Sequence, residues 1–322
     1  MGACSPVCRR DRGGPSPCRA AARVEEQQRN PVRSIILDTD IGSDVDDAMA
    51  LAQILGSPDL DLLEVHTVYG DTRLRAQLAR RYGALAGREL VVVPGAAEPL
   101  SGREVWWAGH EGMLHHDLER EPVSADSAPE RLVERLRDQA GELDVAAIGP
   151  LTNLARALQL EPRAAGWIRH LWVMGGSFGD DQPEHNFKSD DVAAQLVLTA
   201  GIPTTITGLE ITQQITIGTS RLERIRAAGP LGAALGADIE QWWAYWSGTW
   251  NVPHDPVALL PLSRPELFRF SEVGRVSVEI GGDGAGRSTF TPDLGGTVRI
   301  VTGVDVEQVA EEITARIVAA GR

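Results

Sequence analysis

The chain has 322 residues, of which 43% are hydrophobic and 24% are charged, and its formal net charge is −14. This composition is typical of a soluble globular protein that is long enough for one large α/β domain. The negative charge argues against a nucleic-acid or anionic-membrane partner, because both require a basic face. No window approaches the roughly 18 consecutive apolar residues of a membrane-spanning helix.

The first thirty residues differ in composition from the rest. They contain all three cysteines, Cys4, Cys8 and Cys18, are rich in Arg, Gly, Pro and Ser, and lack the apolar stretch of a signal peptide. We therefore expect a disordered tail over residues 1–30 and a single domain over residues 31–322. Because no cysteine follows the tail, no disulfide can stabilise the domain, and we expect a reducing, cytoplasmic location.

Apolar runs alternate with stretches of helical periodicity through the first two thirds of the chain. The predicted strands are 34–37, 62–69, 90–93, 145–148, 171–174 and 202–207. The predicted helices are 48–55, 72–87, 131–139, 152–158 and 191–199. Strands that alternate with helices of this length predict an α/β fold: a mostly parallel, Rossmann-like open sheet with helices on both faces.

The alternation changes after Thr207. Residues 221–228 and 239–249 have helical patterns, and three short strands follow at 276–280, 289–291 and 298–302. These strands predict a small antiparallel extension at the C-terminal end of the domain, and residues 306–319 predict a final helix.

Five aspartates stand within ten residues directly after the first predicted strand, in the run DTDIGSDVDD; they are Asp38, Asp40, Asp44, Asp46 and Asp47. Like charges at this density disfavour joint ionisation unless a positive charge lies among them. A hard divalent cation with oxygen ligands supplies that charge. The run also stands where open α/β sheets bind their ligands, at the carboxyl end of a strand.

The acidic run has three other possible interpretations. It can be a solvated turn that caps the next helix. An EF-hand loop requires Glu at its twelfth position, but counting from Asp38 that position is Met49, which excludes it. A phosphatase of the aspartyl-phosphate type also places D-x-D after a first strand, and it stays as a weaker alternative.

The run Asp38–Leu51 resembles the N-terminal signature of the nucleoside hydrolase family, D-T-D-P-G-x-D-D-A. This chain has Ile41 in place of the proline and two more residues before the paired aspartates. Other segments resemble family motifs in the expected order. They are Val68-Tyr69-Gly70-Asp71, Ile148–Asn153, Met174-Gly175-Gly176 with Glu184–Phe187, and His254-Asp255-Pro256.

The resemblance implies a calcium-dependent enzyme that hydrolyses the N-glycosidic bond of ribonucleosides to ribose and free base. The metal ligands would be Asp40, Asp47, Asp255 and the backbone carbonyl of Ile148, an oxygen-only set that suits Ca²⁺. Asp40 would also act as general base and activate a metal-bound water. Asp38 would anchor the loop through backbone amides.

The resemblance also implies the residues that hold the sugar. Asp46 would accept a hydrogen bond from a ribose hydroxyl, Glu184 and Asn186 would bind further hydroxyls, Met174 would line the floor, and Asp255 would contact the substrate as well as the metal. The family usually has another Asn about six residues before its Glu, where this chain has Phe178.

The leaving base requires a proton or an aromatic enclosure. His254, next to Asp255, is the candidate proton donor, and His110 fits a family histidine less well. Trp242, Trp246 and Trp250 have the spacing of one helix face and predict a wall of the base pocket.

We expect a small-molecule nucleoside as the partner, a role in purine or pyrimidine salvage, and a homodimer or homotetramer. The base preference stays open at this point. So do two alternatives: action on a different N-riboside, and a non-catalytic, calcium-dependent sugar-binding protein.

Overall fold

A ten-stranded sheet forms the centre of the computed structural model, which describes residues 32–322. The expectation for the N-terminal tail lies outside the described residues. The strands of this sheet are β1 (Arg33–Thr39), β2 (Leu60–Thr67), β3 (Val92–Pro94), β4 (Leu143–Ala147), β5 (Ile168–Met174), β6 (Thr204–Thr207), β9 (Phe268–Phe270), β10 (Gly274–Val278), β11 (Ser288–Pro292) and β12 (Val298–Val304). Two further strands, β7 (Ile217–Gly218) and β8 (Trp250–Asn251), pair separately with each other.

Seven strands of the large sheet are parallel, in the order β3-β2-β1-β4-β5-β6-β12. Strands β9, β10 and β11 add antiparallel pairs at the β12 end. The predicted fold class is confirmed. Residues 298–302 were predicted in an antiparallel edge, and β12 does pair antiparallel with β9 and β10, but it also pairs in parallel with β6, for example Ile300 with Ile206. Its long separation from β6 in the chain conceals this pairing in the sequence.

Eleven α-helices are present among the described residues. They are α1 (Asp46–Leu55), α2 (Thr72–Leu85), α3 (Ala128–Asp138), α4 (Thr152–Leu160), α5 (His185–Ser189), α6 (Asp191–Leu198), α7 (Leu209–Thr212), α8 (Thr219–Arg226), α9 (Gly229–Tyr245), α10 (His254–Leu259) and α11 (Val306–Ala320). Asp71 caps α2, since its side chain accepts a hydrogen bond from the Leu74 amide at 3.0 Å.

The sheet separates two apolar cores because successive side chains of a strand point to opposite faces. In β1, Ile35 and Leu37 belong to one core, while Ile36 belongs to the other. The first core includes buried residues of α1, α2, α8, α9 and α11, and the second includes those of α3, α4 and α6. Residues 33–322 form one compact unit. None of the helices described has both the length and the apolar character needed to cross a membrane.

Helix α9 is longer and ends earlier than the 239–249 predicted. It begins at Gly229, ten residues upstream. Pro230 is tolerated in its first turn because the N–H that proline lacks would have no partner within the helix there. It ends at Tyr245, because Ser247 adopts the left-handed conformation at φ 59° and interrupts the helical path. Trp246 and Trp250 therefore lie outside the helix.

Candidate active site

A cavity of about 810 Å³ opens at the carboxyl edge of the parallel strands. The loops that follow β1, β4 and β5 meet there with the first turns of α1 and α10, since parallel strands end at one edge of a sheet. Ten of the residues predicted for the site line this cavity; they are Asp40, Asp46, Asp47, Ile148, Met174, Glu184, Asn186, Trp242, His254 and Asp255.

Three buried carboxylates form the floor of the cavity. Asp46, Asp47 and Asp255 each place an oxygen within 4.8 Å of the others. The Asp255 amide donates a hydrogen bond to Asp46 Oδ2 at 3.2 Å, and the Thr39 hydroxyl donates one to Asp47 Oδ1. Burial, and then the neighbouring carboxylates, raise the pKa of all three well above the ordinary value.

Asp40 lies beside this floor at the end of β1. A side chain at Gly149 would meet Asp40 Oδ1 at 2.6 Å, so the glycine leaves room for the carboxylate. Burial raises the pKa of Asp40, and the charge of Arg75 counteracts this. The close group of three contains Asp46, which the sequence had assigned to the sugar, and it does not contain Asp40.

Arg75 was missed by the sequence reasoning, although it is fully buried beneath the acidic loop. Its guanidinium donates hydrogen bonds to the carbonyls of Tyr69 at 2.6 Å and Ile41 at 2.9 Å, and to the carbonyl of Asp40. The ring of Trp107 lies over the guanidinium at 4.8 Å. The only sequence signal was an arginine on the otherwise apolar face of α2.

Asp38 is held by a side-chain amide, and the prediction of backbone amides was wrong. Asn153 Nδ2 donates to Asp38 Oδ2 at 2.7 Å, and Asn153 also bridges to the Thr67 carbonyl. Burial raises the pKa of Asp38 to about 8. Asp44, unexplained by the sequence, accepts a hydrogen bond from the Val45 amide at 2.6 Å and so stabilises the turn into α1.

Glu184 and Asn186 join the loops that surround the cavity. The carboxylate of Glu184 accepts hydrogen bonds from the amides of Asn186, Phe187 and Gly176, at 2.7, 3.0 and 3.1 Å. Asn186 Nδ2 donates to the Ile148 carbonyl at 2.8 Å. Burial raises the pKa of Glu184, and these amide hydrogen bonds counteract the effect. The pair thus fixes the position of the Ile148 carbonyl at the cavity wall.

His254 lines the cavity and contacts Thr212, whose Oγ1 lies 2.7 Å from His254 Nδ1. Burial lowers the pKa of His254 to about 4. His110 is placed differently: its Nε2 lies 2.8 Å from the Ser43 carbonyl, and the residue is not among those that line the cavity. His185, which the sequence did not suggest, does line the cavity, edge-on to Trp106 at 5.5 Å.

The structure divides the three predicted tryptophans. Trp242 lines the cavity, whereas Trp246 and Trp250 are 40% and 42% exposed and pack against each other edge to face at 4.8 Å. The predicted wall of three tryptophans was wrong for these two, because α9 ends before them and the spacing of four no longer corresponds to one face.

The residues of the floor fit a divalent metal ion. Four buried carboxylates, those of Asp40, Asp46, Asp47 and Asp255, surround one end of the cavity, and the buried guanidinium of Arg75 lies beneath the loop that carries three of them. Together with the Ile148 carbonyl they offer only oxygen donors, which hard cations prefer. A buried excess of negative charge of this size requires protons or a cation.

Residues 35–311 match the family model described as inosine-uridine preferring nucleoside hydrolase. The chain is 30% identical over 315 residues to Uridine nucleosidase 1 of Arabidopsis thaliana, a match that covers 88% of this chain and 92% of the relative. It is 34% identical over 253 residues to Non-specific ribonucleoside hydrolase RihC of Salmonella enteritidis PT4, covering 73% of this chain and 79% of the relative.

Two solved structures have the same fold. A plant nucleoside hydrolase, the PpNRh1 enzyme, superposes with a TM-score of 0.81 at 27% identity, covering 89% of this chain and 99% of the other. A purine-preferring ribonucleoside hydrolase from Gardnerella vaginalis superposes with a TM-score of 0.80 at 23% identity, covering 90% and 99%.

Fold and site define a hydrolase with an acidic centre at the carboxyl edge of a parallel sheet. The chain belongs to the inosine-uridine preferring nucleoside hydrolase family. The resemblance seen in the sequence is confirmed, and with it the class of enzyme, a glycosidase that acts on N-glycosyl bonds of ribonucleosides.

Proposed function

We propose that this chain hydrolyses a ribonucleoside to ribose and free base with Ca²⁺ bound at the acidic floor. The observation that supports the proposal is the cluster of buried carboxylates on Asp46, Asp47 and Asp255 beside Asp40. Ligands would come from Asp40, Asp47, Asp255 and the Ile148 carbonyl, and Asp46 is close enough to join them. When bound, the cation supplies the positive charge that compensates these carboxylates and polarises water.

Asp40 is the general base of the proposed reaction. It accepts the proton of the water that attacks C1′ of the ribose, and its burial raises its affinity for that proton. Positive charge develops on the sugar as the C1′–N bond breaks, and the carboxylates of the floor stabilise it. Asp46, Asp255 and the free oxygen of the Asn186 amide would accept hydrogen bonds from ribose hydroxyls.

The base would occupy the part of the cavity between His254 and Trp242. With Nδ1 held by Thr212, the other ring nitrogen of His254 is the candidate donor to the leaving base. Trp242 offers an apolar wall to a planar ring. Glu184 supports the pocket through the amides that it binds and orients Asn186.

The proposal also covers the preferred base, the oligomeric state and the cellular location. Relatives named for uridine and for purine nucleosides suggest a panel of uridine, inosine, adenosine and nicotinamide riboside. We propose a homodimer or homotetramer in the cytoplasm, the location that the absence of cysteine beyond residue 18 favours.

The test measures release of free base from this panel by the wild-type protein, by Asp40→Asn and by Asp61→Asn, an exposed control on β2. We expect Asp40→Asn to lose at least ~100-fold in kcat while Asp61→Asn keeps the wild-type rate. Calorimetry with Ca²⁺ should show binding to the wild type and weakened binding to Asp47→Asn. Wild-type turnover by Asp40→Asn would refute its role as base.

The two alternatives predict other outcomes. An enzyme for a different N-riboside would release base only from a substrate outside the uridine and inosine pair. A sugar-binding protein would bind ribose in the calorimeter without releasing any base, and the presence of Asp40 beside the floor weighs against it.

A further inference from the structure

Lys188 is the single lysine of the chain, and the other thirty of its 31 basic residues are arginine. It lies in α5, two residues after Asn186, and its exposed side chain lines the cavity. A lysine ammonium is a compact, strongly hydrated charge on a flexible stem, whereas a guanidinium is a rigid planar fork. The one such ammonium in this chain is therefore placed at the substrate cavity.

The backbone of Lys188 is fixed by contacts with neighbouring residues, whereas its ammonium group forms no ion pair within the described part of the chain. The Lys188 amide donates to the Glu184 carbonyl at 2.8 Å, and the backbone of Gly286 packs so closely that a Cβ there would lie 2.4 Å from Lys188 Cα. No carboxylate of residues 32–322 forms an ion pair with the Lys188 ammonium. The side chain thus brings an uncompensated positive charge to the cavity wall.

Arg103, Glu104 and His185 line the same cavity as Lys188, as do the carboxylates of the acidic loop, Glu184 and Asp255. Arg103 donates to Asp191 at 3.2 Å, which compensates part of its charge, and its buried Nε has no hydrogen-bond partner among the described residues. Glu104 is exposed and forms no ion pair within the described part of the chain. A neutral nucleoside offers these cations hydrogen-bond acceptors but no compensating charge.

We propose that the cavity selects ribonucleosides that carry an anionic group, which the Lys188 ammonium binds with help from Arg103. The inference rests on the proposed function and names its substrate class. Two sources supply such an anion: a phosphate on the 5′ oxygen of ribose, or a carboxylate on the base. In both cases water adds to C1′, the C1′–N bond breaks, and one proton of the water passes to the leaving nitrogen.

The first test compares uridine, uridine 5′-monophosphate and orotidine as substrates of the wild type, Lys188→Met and Lys188→Arg. Uridine is the neutral reference, and each of the other two adds one kind of anion to it. We expect kcat/KM for one anionic substrate, relative to uridine, to fall roughly tenfold in Lys188→Met, the scale of one charge-assisted hydrogen bond. Lys188→Arg should recover most of the ratio, because it restores the charge.

The second test does not depend on turnover. Trinitrobenzenesulfonate modifies amines and thiols, so it can react with Lys188, the α-amino group and the three cysteines, and mass spectrometry separates the products. We expect the anionic substrate or its product to slow modification of Lys188 in the intact protein more than uridine does at equal concentration. Asp40→Asn, used in the same assay, keeps the ligand uncleaved.

Each result has one meaning. A ratio that depends on Lys188 for uridine 5′-monophosphate identifies the phosphate, and one that depends on it for orotidine identifies the base carboxylate. Equal ratios in wild type and Lys188→Met, with no selective protection of Lys188, overturn this inference even if uridine is hydrolysed. If no ribonucleoside is cleaved but the anionic ligands protect Lys188, the proposed function fails and the anion site stands.

Discussion

The guanidinium of Arg75 donates a hydrogen bond to the backbone carbonyl of Asp40, the residue at which β1 gives way to the acidic loop. The same guanidinium binds the Ile41 and Tyr69 carbonyls, so one buried cation fixes the backbone under four carboxylates. Charge and geometry act together here. The arginine positions Asp40 and also lowers the free-energy cost of burying it.

Replacement of Arg75 by Met should therefore impair both the fold and the reaction. Three carbonyls lose their donor and the acidic loop loses a buried cation, so we expect a loss of about 3 kcal/mol in the free energy of unfolding and at least a ~10-fold fall in kcat/KM. Urea denaturation and base release measure the two effects. Arg73→Met, on the exposed face of the same helix, is the control. A stable Arg75→Met with wild-type kinetics would contradict this reading.

The two groups of tryptophans should behave differently in kinetics. Trp242 lines the cavity, so Trp242→Ala should raise KM about tenfold by removing an apolar wall from the bound base. Trp246→Ala should have a smaller effect on KM, because that side chain packs against Trp250 outside the cavity. Initial rates with uridine and inosine measure both. A larger KM effect at Trp246 would show that the base binds elsewhere.

Thr212 is expected to set the orientation of His254. The variant Thr212→Val keeps the shape of the side chain but removes the oxygen 2.7 Å from His254 Nδ1. We expect kcat to fall about tenfold with little change in KM, since proton donation to the base depends on the orientation of the donor. Thr199→Val, an exposed site at the end of α6, serves as the comparison. Equal kcat values in the two variants would exclude the positioning role.

Acid stability should depend on Glu64, which is buried in the middle of β2 and does not line the cavity. Burial alone would raise its pKa, but hydrogen bonds from His66, Arg131 and Arg135 outweigh burial and lower the pKa to about 2, from 4.5 for the free side chain. The folded state therefore gains stability from ionised Glu64 above pH 4.5 and loses it as the pH falls towards 2.

Glu64→Gln should abolish this contribution and reduce the free energy of unfolding at pH 7 by about 2 kcal/mol. The difference between variant and wild type should shrink as the pH is lowered from 4.5. Thermal unfolding at a series of pH values measures it, with Glu134→Gln, exposed on α3, as the control. A pH-independent difference would mean that ionisation of Glu64 does not contribute.

The sequence by itself determined the elements whose signals are local. A short apolar run predicts a strand, apolar residues with a period of 3.6 predict a helix, and the end of either pattern predicts a loop. These signals were sufficient for the alternation up to β6 and for the acidic run after β1. The resemblance to the family assigned the motifs around Ile148, Glu184 and Asp255 to one site, and the structure brings them together at the edge where the parallel strands end.

Only the tertiary structure decided what depends on residues distant in the chain. It joined β12 to β6, separated Trp242 from Trp246 and Trp250, and placed the carboxylate of Asp46, instead of that of Asp40, within 4.8 Å of those of Asp47 and Asp255. It also placed Arg75 beneath the acidic loop and Lys188 at the cavity wall. No local sequence pattern predicts where these side chains lie relative to one another. Hydrogen bonds and charge compensation depend on distances in space, and spacing in the sequence gives such distances only within one helix or strand.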